Sequence, residues 1–343
     1  MVSMNPLLDN MPWIKGRRKP IACYAAYTTD ADLLSRSASG GAFTELSKVV
    51  LLDGGVVFGA VWSKDCRRVY HTWTESLDGL SEMRGSKYLV SDISGVYGPM
   101  KEFLASGRRV LFSGTPCQTA AVRRFFGLDP NLVCCAIICM SNADTSWWRK
   151  EADRLEAMAG SRLVRVFHRR KVEGKLGAFF KAEFVDSSKN FSVPLYEANY
   201  WKTFGQHPRS CCLNCSFRAG RNAADVQIGD FWGVEKVYAD LDARCGINAV
   251  LSFTERGDDL VKRSALERRE VSYEQILVGN KHLEAQYSVP NHKKLVRPQM
   301  SETRRVFWNI LATYGRSLYA IALGLVCGRW TLMALGKVDY GLM

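Results

Sequence analysis

Nothing near the start of this chain reads as a secretory leader. Met1 to Lys19 holds Pro6, Asp9 and Pro12 and then a basic run, with no apolar centre. The C-terminal region offers no bilayer span either. Between Arg316 and Arg329 lie 12 uncharged residues, Gly324 and Gly328 among them, against the ~20 that a span needs. That segment is expected to be a helix that docks on protein or rests at a membrane surface. There is no internal repeat and no low-complexity segment, which excludes repeat architectures and disordered linkers. The net charge of +13 comes without a basic block: pairs such as Arg67-Arg68, Arg123-Arg124 and Arg169-Arg170 are spread along the chain. They match no nucleic-acid motif and read mostly as solvated faces.

What is present is the composition of a globular protein, 47% hydrophobic and 24% charged over 343 residues, long enough for two domains. The eleven cysteines are scattered and odd in number, which argues against a secreted disulfide scaffold. With no stretch that reads as a leader, the protein is expected in the cytoplasm.

Periodicity predicts an α/β fold, mixed α+β overall. Strands are expected over 21–27, 56–62, 69–74, 109–112 and 132–138, alternating with helices that start near Phe43, Gly98 and Gln118. This order gives an N-terminal domain with a largely parallel sheet. After Asn142 a smaller α+β part follows, with strands near 163–168, 178–184 and 191–195, then a cysteine turn, a strand over 248–253 and a helical remainder ending in a C-terminal tail.

The chemistry gathers around cysteine. Cys212 and Cys215 form a Cys-x-x-Cys pair, two ligands of the four or so that zinc or an iron–sulfur cluster takes. Cys117 follows Gly114-Thr115-Pro116 where a strand hands over to a helix, and Cys139 ends the next strand at the same sheet edge. A thiol at the start of a helix is expected to have a lowered pKa. Cys117, Cys139, Cys212 and Cys215 are thus the candidate four-thiolate set, and spacing alone leaves zinc and iron–sulfur both open. Cys134 and Cys135 read as core, Cys211 as a spare, and Cys23, Cys66, Cys245 and Cys327 as structural. Ser37-Ala-Ser-Gly-Gly41 at a helix start has the form of a phosphate-holding loop, and Ser86-Lys87-Tyr88 offers a cation and an aromatic face suited to a flavin. Phe231 and Trp232 could shield a cluster from water.

These motifs, with Gly54–Ala60, Leu111–Gln118 and Ile228-Gly-Asp-Phe-Trp-Gly233, occur in this order in one family. The chain resembles the beta subunits of coenzyme F-420 hydrogenases and dehydrogenases over roughly Ala22 to Phe253. The resemblance implies a flavin-binding part over 21–103 and an iron–sulfur part over 104–275, between an N-terminal tail (1–20) and a helical extension (276–343). It further implies an FAD- and 4Fe-4S-dependent oxidoreductase that passes electrons to a deazaflavin such as coenzyme F-420, or to another small acceptor. The expected cofactor residues are Ser37, Ser39, Gly40, Gly41, Ser86, Lys87, Tyr88, Gly114 and Thr115, and the cluster ligands are the four cysteines.

The chain departs from that pattern in two places. Many members carry a ferredoxin-like run of Cys-x-x-Cys repeats, which this sequence lacks. Its electrons are therefore expected from an external ferredoxin-like donor or a partner oxidoreductase subunit, docking on Arg209, Arg218 and Arg221. The usual Cys-His-Gly reads Cys139-Met140-Ser141, so the histidine and any proton transfer by it are gone. The alternatives are a zinc-stapled scaffold without redox chemistry and, more distantly, a part in glycan modification, since some similar chains accompany surface-polysaccharide genes.

Overall fold

Leu132-Val-Cys-Cys-Ala-Ile137 shows no polar alternation, the mark of a strand covered on both faces, and all but Ile137 are buried. The computed structural model describes residues 17–284, apart from 173–174, 200, 202–207, 219 and 243–244. The chain divides into compact units Met1–Pro290 and Asn291–Met343, and every described residue lies in the first. The N-terminal tail up to residue 16, Cys327 and the helix expected between Arg316 and Arg329 lie outside the described residues.

The main sheet has nine strands: β1 Ala22–Thr28, β2 Val56–Trp62, β3 Val69–Thr74, β4 Ser91–Asp92, β5 Val110–Gly114, β6 Leu132–Ile137, β10 Val226–Asp230, β11 Asn248–Ser252 and β12 Leu266–Glu270. Their order is β12-β1-β11-β10-β6-β5-β2-β3-β4. The predicted parallel block is its centre, β10-β6-β5-β2, flanked on both sides by antiparallel pairs. A smaller antiparallel sheet, β7 Leu163–Val172, β8 Lys175–Phe184 and β9 Phe191–Pro194, is inserted in sequence between β6 and β10. It packs with Trp148, Ala152 and Leu155 of the helix over Thr145–Ala159.

Helices cover both faces of the main sheet. Leu46 and Val50 of the helix over Ala42–Leu52 pack with Leu111, Val133 and Cys135. On the other face, Met100 of the Tyr97–Ala105 helix and Val122 of the Pro116–Phe126 helix pack with Phe112, Leu132 and Cys134. The adjacent cysteines Cys134 and Cys135 therefore serve opposite layers, and both are core as expected.

The remainder after Phe253 is only partly helical. Leu266-Glu-Arg-Arg-Glu270 is an edge strand antiparallel to β1, and it reads as polar because of its five residues only Leu266 is buried. Nor are the basic pairs all solvated. Arg123 and Arg169 are buried, the first paired with Asp225 and the second with Asp230. A guanidinium taken out of water persists only with such a partner.

Candidate functional site

Parallel strands deliver their carboxyl ends to one edge of a sheet, where open α/β folds bind ligands. Here the ends of β5 (Ser113, Gly114), β6 (Ile137) and β10 (Gly229, Asp230) border a cavity of about 350 Å³, within the ~300–1,000 Å³ usual for small-molecule sites. Of the nine expected cofactor residues, Ser37, Ser39, Gly41, Ser86, Lys87, Tyr88, Gly114 and Thr115 line it. Gly40 stands a layer behind. Its backbone packs on β1, where an added Cβ would lie 2.7 Å from the carbonyl oxygen of Ala26.

The serine loop works differently from a simple phosphate cradle. Gly41, at φ +84°, caps the Ala42–Leu52 helix in place of a serine. Ser37 donates its hydroxyl to Leu33 O at 2.7 Å, Ser39 to Ile247 O at 3.2 Å, and the N–H of Ala42 is taken by Asn248 Oδ1 at 3.0 Å. The loop is clamped from behind by Lys171, whose Nζ donates to the carbonyls of Leu34, Ser39 and Cys245 at 2.6–2.7 Å. The Lys87 amine donates to Met83 O (3.1 Å) and Arg84 O (3.0 Å), and burial pushes its pKa down to about 7.

At the start of the Pro116–Phe126 helix, Gln118 Oε1 accepts from both the N–H and the hydroxyl of Thr115 while its Nε2 donates to the backbone and side chain of Ser91. The Thr115 hydroxyl lies 3.0 Å from Cys117 Sγ. The expected lowering of the Cys117 pKa does not hold. Although the residue reaches the surface, the protein packed around its sulfur raises the pKa and outweighs the hydrogen bonds from Thr115 and the helix amides.

The cysteine turn comes to this edge by backbone pairing. Ala143 bridges Leu89 on one side and Pro208 on the other, and the N–H of Arg209 donates to Asn142 O. Cys139, itself in the cavity wall, lies within electrostatic reach of Cys117, Cys212 and Cys215. Burial first, then these neighbours, push its pKa up to about 12, while Arg218 pulls it down. Such thiols ionise readily only beside a strong positive charge such as a metal centre supplies. Among the described residues no three His, Cys, Asp or Glu side chains close on a point that would hold a single ion. The four thiols are neighbours rather than a closed cage.

Of the expected docking arginines, Arg221 is exposed and Arg209 half-buried, but Arg218 is only 8% exposed and lies within electrostatic reach of Cys139. Its charge favours the ionised form of the Cys139 thiol. Trp232 lines the cavity beneath the Arg169 guanidinium, 5.5 Å from the ring centroid, whereas Phe231 is buried with Val234 and Ile276. Asn280, fully buried, accepts from Trp232 N and donates to Asp230 O, which fixes that turn.

Residues 107–276 match the family model for the C terminus of the coenzyme F420 hydrogenase/dehydrogenase beta subunit. That match agrees with the resemblance carried by the motifs to the F420 hydrogenase/dehydrogenase beta subunit family. The likeness points to a hydrogenase- or dehydrogenase-type oxidoreductase subunit. The fold is shared with a chain of the F420-reducing [NiFe] hydrogenase complex from Methanosarcina barkeri, at 17% identity and a TM-score of 0.51, over 79% of this chain and 92% of that one. No curated protein matches the chain in sequence.

Besides the expected residues, the cavity wall includes His71, Arg169, Asn248, Asn280 and His282. None stands in a recognisable motif: His71 lies in a half-polar strand and Arg169 in one of many basic pairs. Among the described residues no helix is long and apolar enough to cross a membrane.

Proposed function

We propose that the chain is a cytoplasmic redox subunit that holds FAD in the cavity and a 4Fe-4S cluster on Cys117, Cys139, Cys212 and Cys215. The observation that carries the reading is the double position of Cys139, in the cavity wall and in reach of the other three thiols. A group in the cavity and a group on those thiols would share a wall. When bound, the cluster would carry single electrons and the flavin would exchange them for the two-electron chemistry of a small acceptor such as a deazaflavin. The chain's own part is binding and exclusion of water. The Ser37–Gly41 loop clamped by Lys171 and the Ser86–Tyr88 segment form the flavin walls, and Thr115 and Arg218 tune the thiols. Four soft sulfur donors from three separate segments suit an iron–sulfur cluster.

Electrons would enter from a ferredoxin-like protein or a partner subunit, near exposed Arg221. Anaerobic purification tests the reading: about four iron and four sulfide per chain are expected, with flavin retained or taken up on addition. A colourless protein holding one zinc and no flavin would instead establish the zinc-stapled scaffold.

A further inference from the structure

His71 lines the cavity, and one nitrogen of its ring is left unanswered by the protein. His71, on β3, is 5% exposed, and its Nε2 lies 2.8 Å from the carbonyl oxygen of Ser113. A carbonyl only accepts, so Nε2 carries the proton and Nδ1 is an acceptor. The ring is stacked on Phe112, with centroids 5.1 Å apart and planes 19° from parallel, which fixes its orientation. Nδ1 is buried and has no hydrogen-bond partner. An orphaned buried acceptor is costly, and in a native fold it asks for an explanation. Burial, reinforced by the charge of Lys87, pushes the ring's pKa down to about 4, so at neutral pH it remains an acceptor. Lys87 lines the same cavity, and its ammonium form keeps one N–H beyond the two given to Met83 O and Arg84 O.

We propose that His71 Nδ1 accepts a hydrogen bond from the ring N–H of a cavity-bound heteroaromatic ligand, with Lys87 donating to the carbonyl beside that N–H. The proposal rests on the flavin reading above. A pyrimidinedione ring presents an N–H between two carbonyls, an edge that flavins and 5-deazaflavins share and that N3-methylation removes. His71 is then a specificity-determining residue: a planar ligand without that N–H leaves the acceptor unpaired.

The test is equilibrium binding of riboflavin, 5-deazariboflavin and the N3-methyl form of each to the full chain, followed by ligand fluorescence. Wild-type protein should bind each parent about ten-fold or more tightly than its methylated form, the penalty for an unpaired buried group. His71→Phe, which keeps a ring against Phe112 but has no acceptor, should bind the parents more weakly and discriminate little between parent and methyl form. The ¹⁵N resonance of His71 Nδ1 should shift with the parents and not with the methylated ligands. The two parent arms separate a flavin from a deazaflavin as occupant, and the same methyl penalty with either supports the shared edge. If His71→Phe fails to fold, the methyl penalty and the nitrogen shift in wild-type protein still decide. Equal affinity of wild-type protein for parent and methylated ligands overturns the role of His71 and leaves the flavin reading standing. A wild-type chain that binds none of the four ligands overturns the flavin reading and this proposal together.

Discussion

The backbone N–H of Arg209 donates to the carbonyl oxygen of Asn142 at 3.1 Å, and this bond lays the cysteine turn alongside the segment that leaves Cys139. Neither residue carries chemistry of its own here. Their pairing, with the Leu89–Ala143–Pro208 bridges, is what makes a sheet-edge cysteine and a Cys-x-x-Cys turn into one constellation.

If that constellation holds a cluster, Cys139→Ser should lower iron from about four per chain and bleach the visible absorption. Cys211→Ser should leave both unchanged, because Cys211 is exposed and lies outside the proposed set. Iron and sulfide assays on both variants give the answer. Equal iron in the two would remove Cys139 from the ligand set.

The docking prediction is narrowed by the burial of Arg218. Arg221→Glu should retain iron and slow reduction by an acidic donor. The wild-type rate should fall with salt, since the Debye length shrinks from ~10 Å at 0.1 M to ~3 Å at 1 M. Arg218→Glu puts a buried acid beside Cys139 and should cost iron itself. Stopped-flow reduction at several ionic strengths, with iron assays on each variant, separates the two roles. A rate indifferent to salt and to Arg221→Glu would move the donor's dock elsewhere.

Lys171→Met should destabilise the fold by about 3 kcal/mol, since three carbonyls lose one shared donor and an unmet buried polar group costs roughly 1–3 kcal/mol. It should also loosen the Ser37–Gly41 loop and weaken flavin retention. Denaturant unfolding and flavin titration measure the two effects. Wild-type values for both would show that the clamp is idle.

Acid stability should depend on the buried histidines. Burial pushes His71 down to about 4 from an ordinary value of 6.5, and for the same reason His168 lies well below its ordinary value. Above pH ~6.5 both rings are neutral whether folded or unfolded, and their contribution is fully present. As the pH falls from ~6.5 toward ~4 the unfolded chain binds protons that the fold refuses. For His71 the stability lost is up to about 3 kcal/mol. The unfolding midpoint should drop across that window, and less steeply in His71→Gln. A midpoint flat from pH 7 to pH 4.5 would contradict the burial of both rings.

Much of this was legible in the chain itself. Apolar runs such as Val56–Trp62 and Leu132–Ile137 have the length of covered strands, and Gly114-Thr-Pro-Cys117 reads as a strand-to-helix handover, so periodicity and turn chemistry located the parallel block and its edge. Motif order then named eight residues of the cavity wall. Other features were set by distant parts of the chain meeting. Leu266–Glu270 reads as polar and becomes a strand because β1 offers it an open edge. Arg123, Arg169 and Arg218 look like surface charge until Asp225, Asp230 and Cys139 arrive beside them. His71 gains its meaning from a carbonyl 42 residues away. Local sequence encodes backbone preference and the pattern of burial, whereas a site's electrostatics and its unpaired atoms depend on which segments fold together.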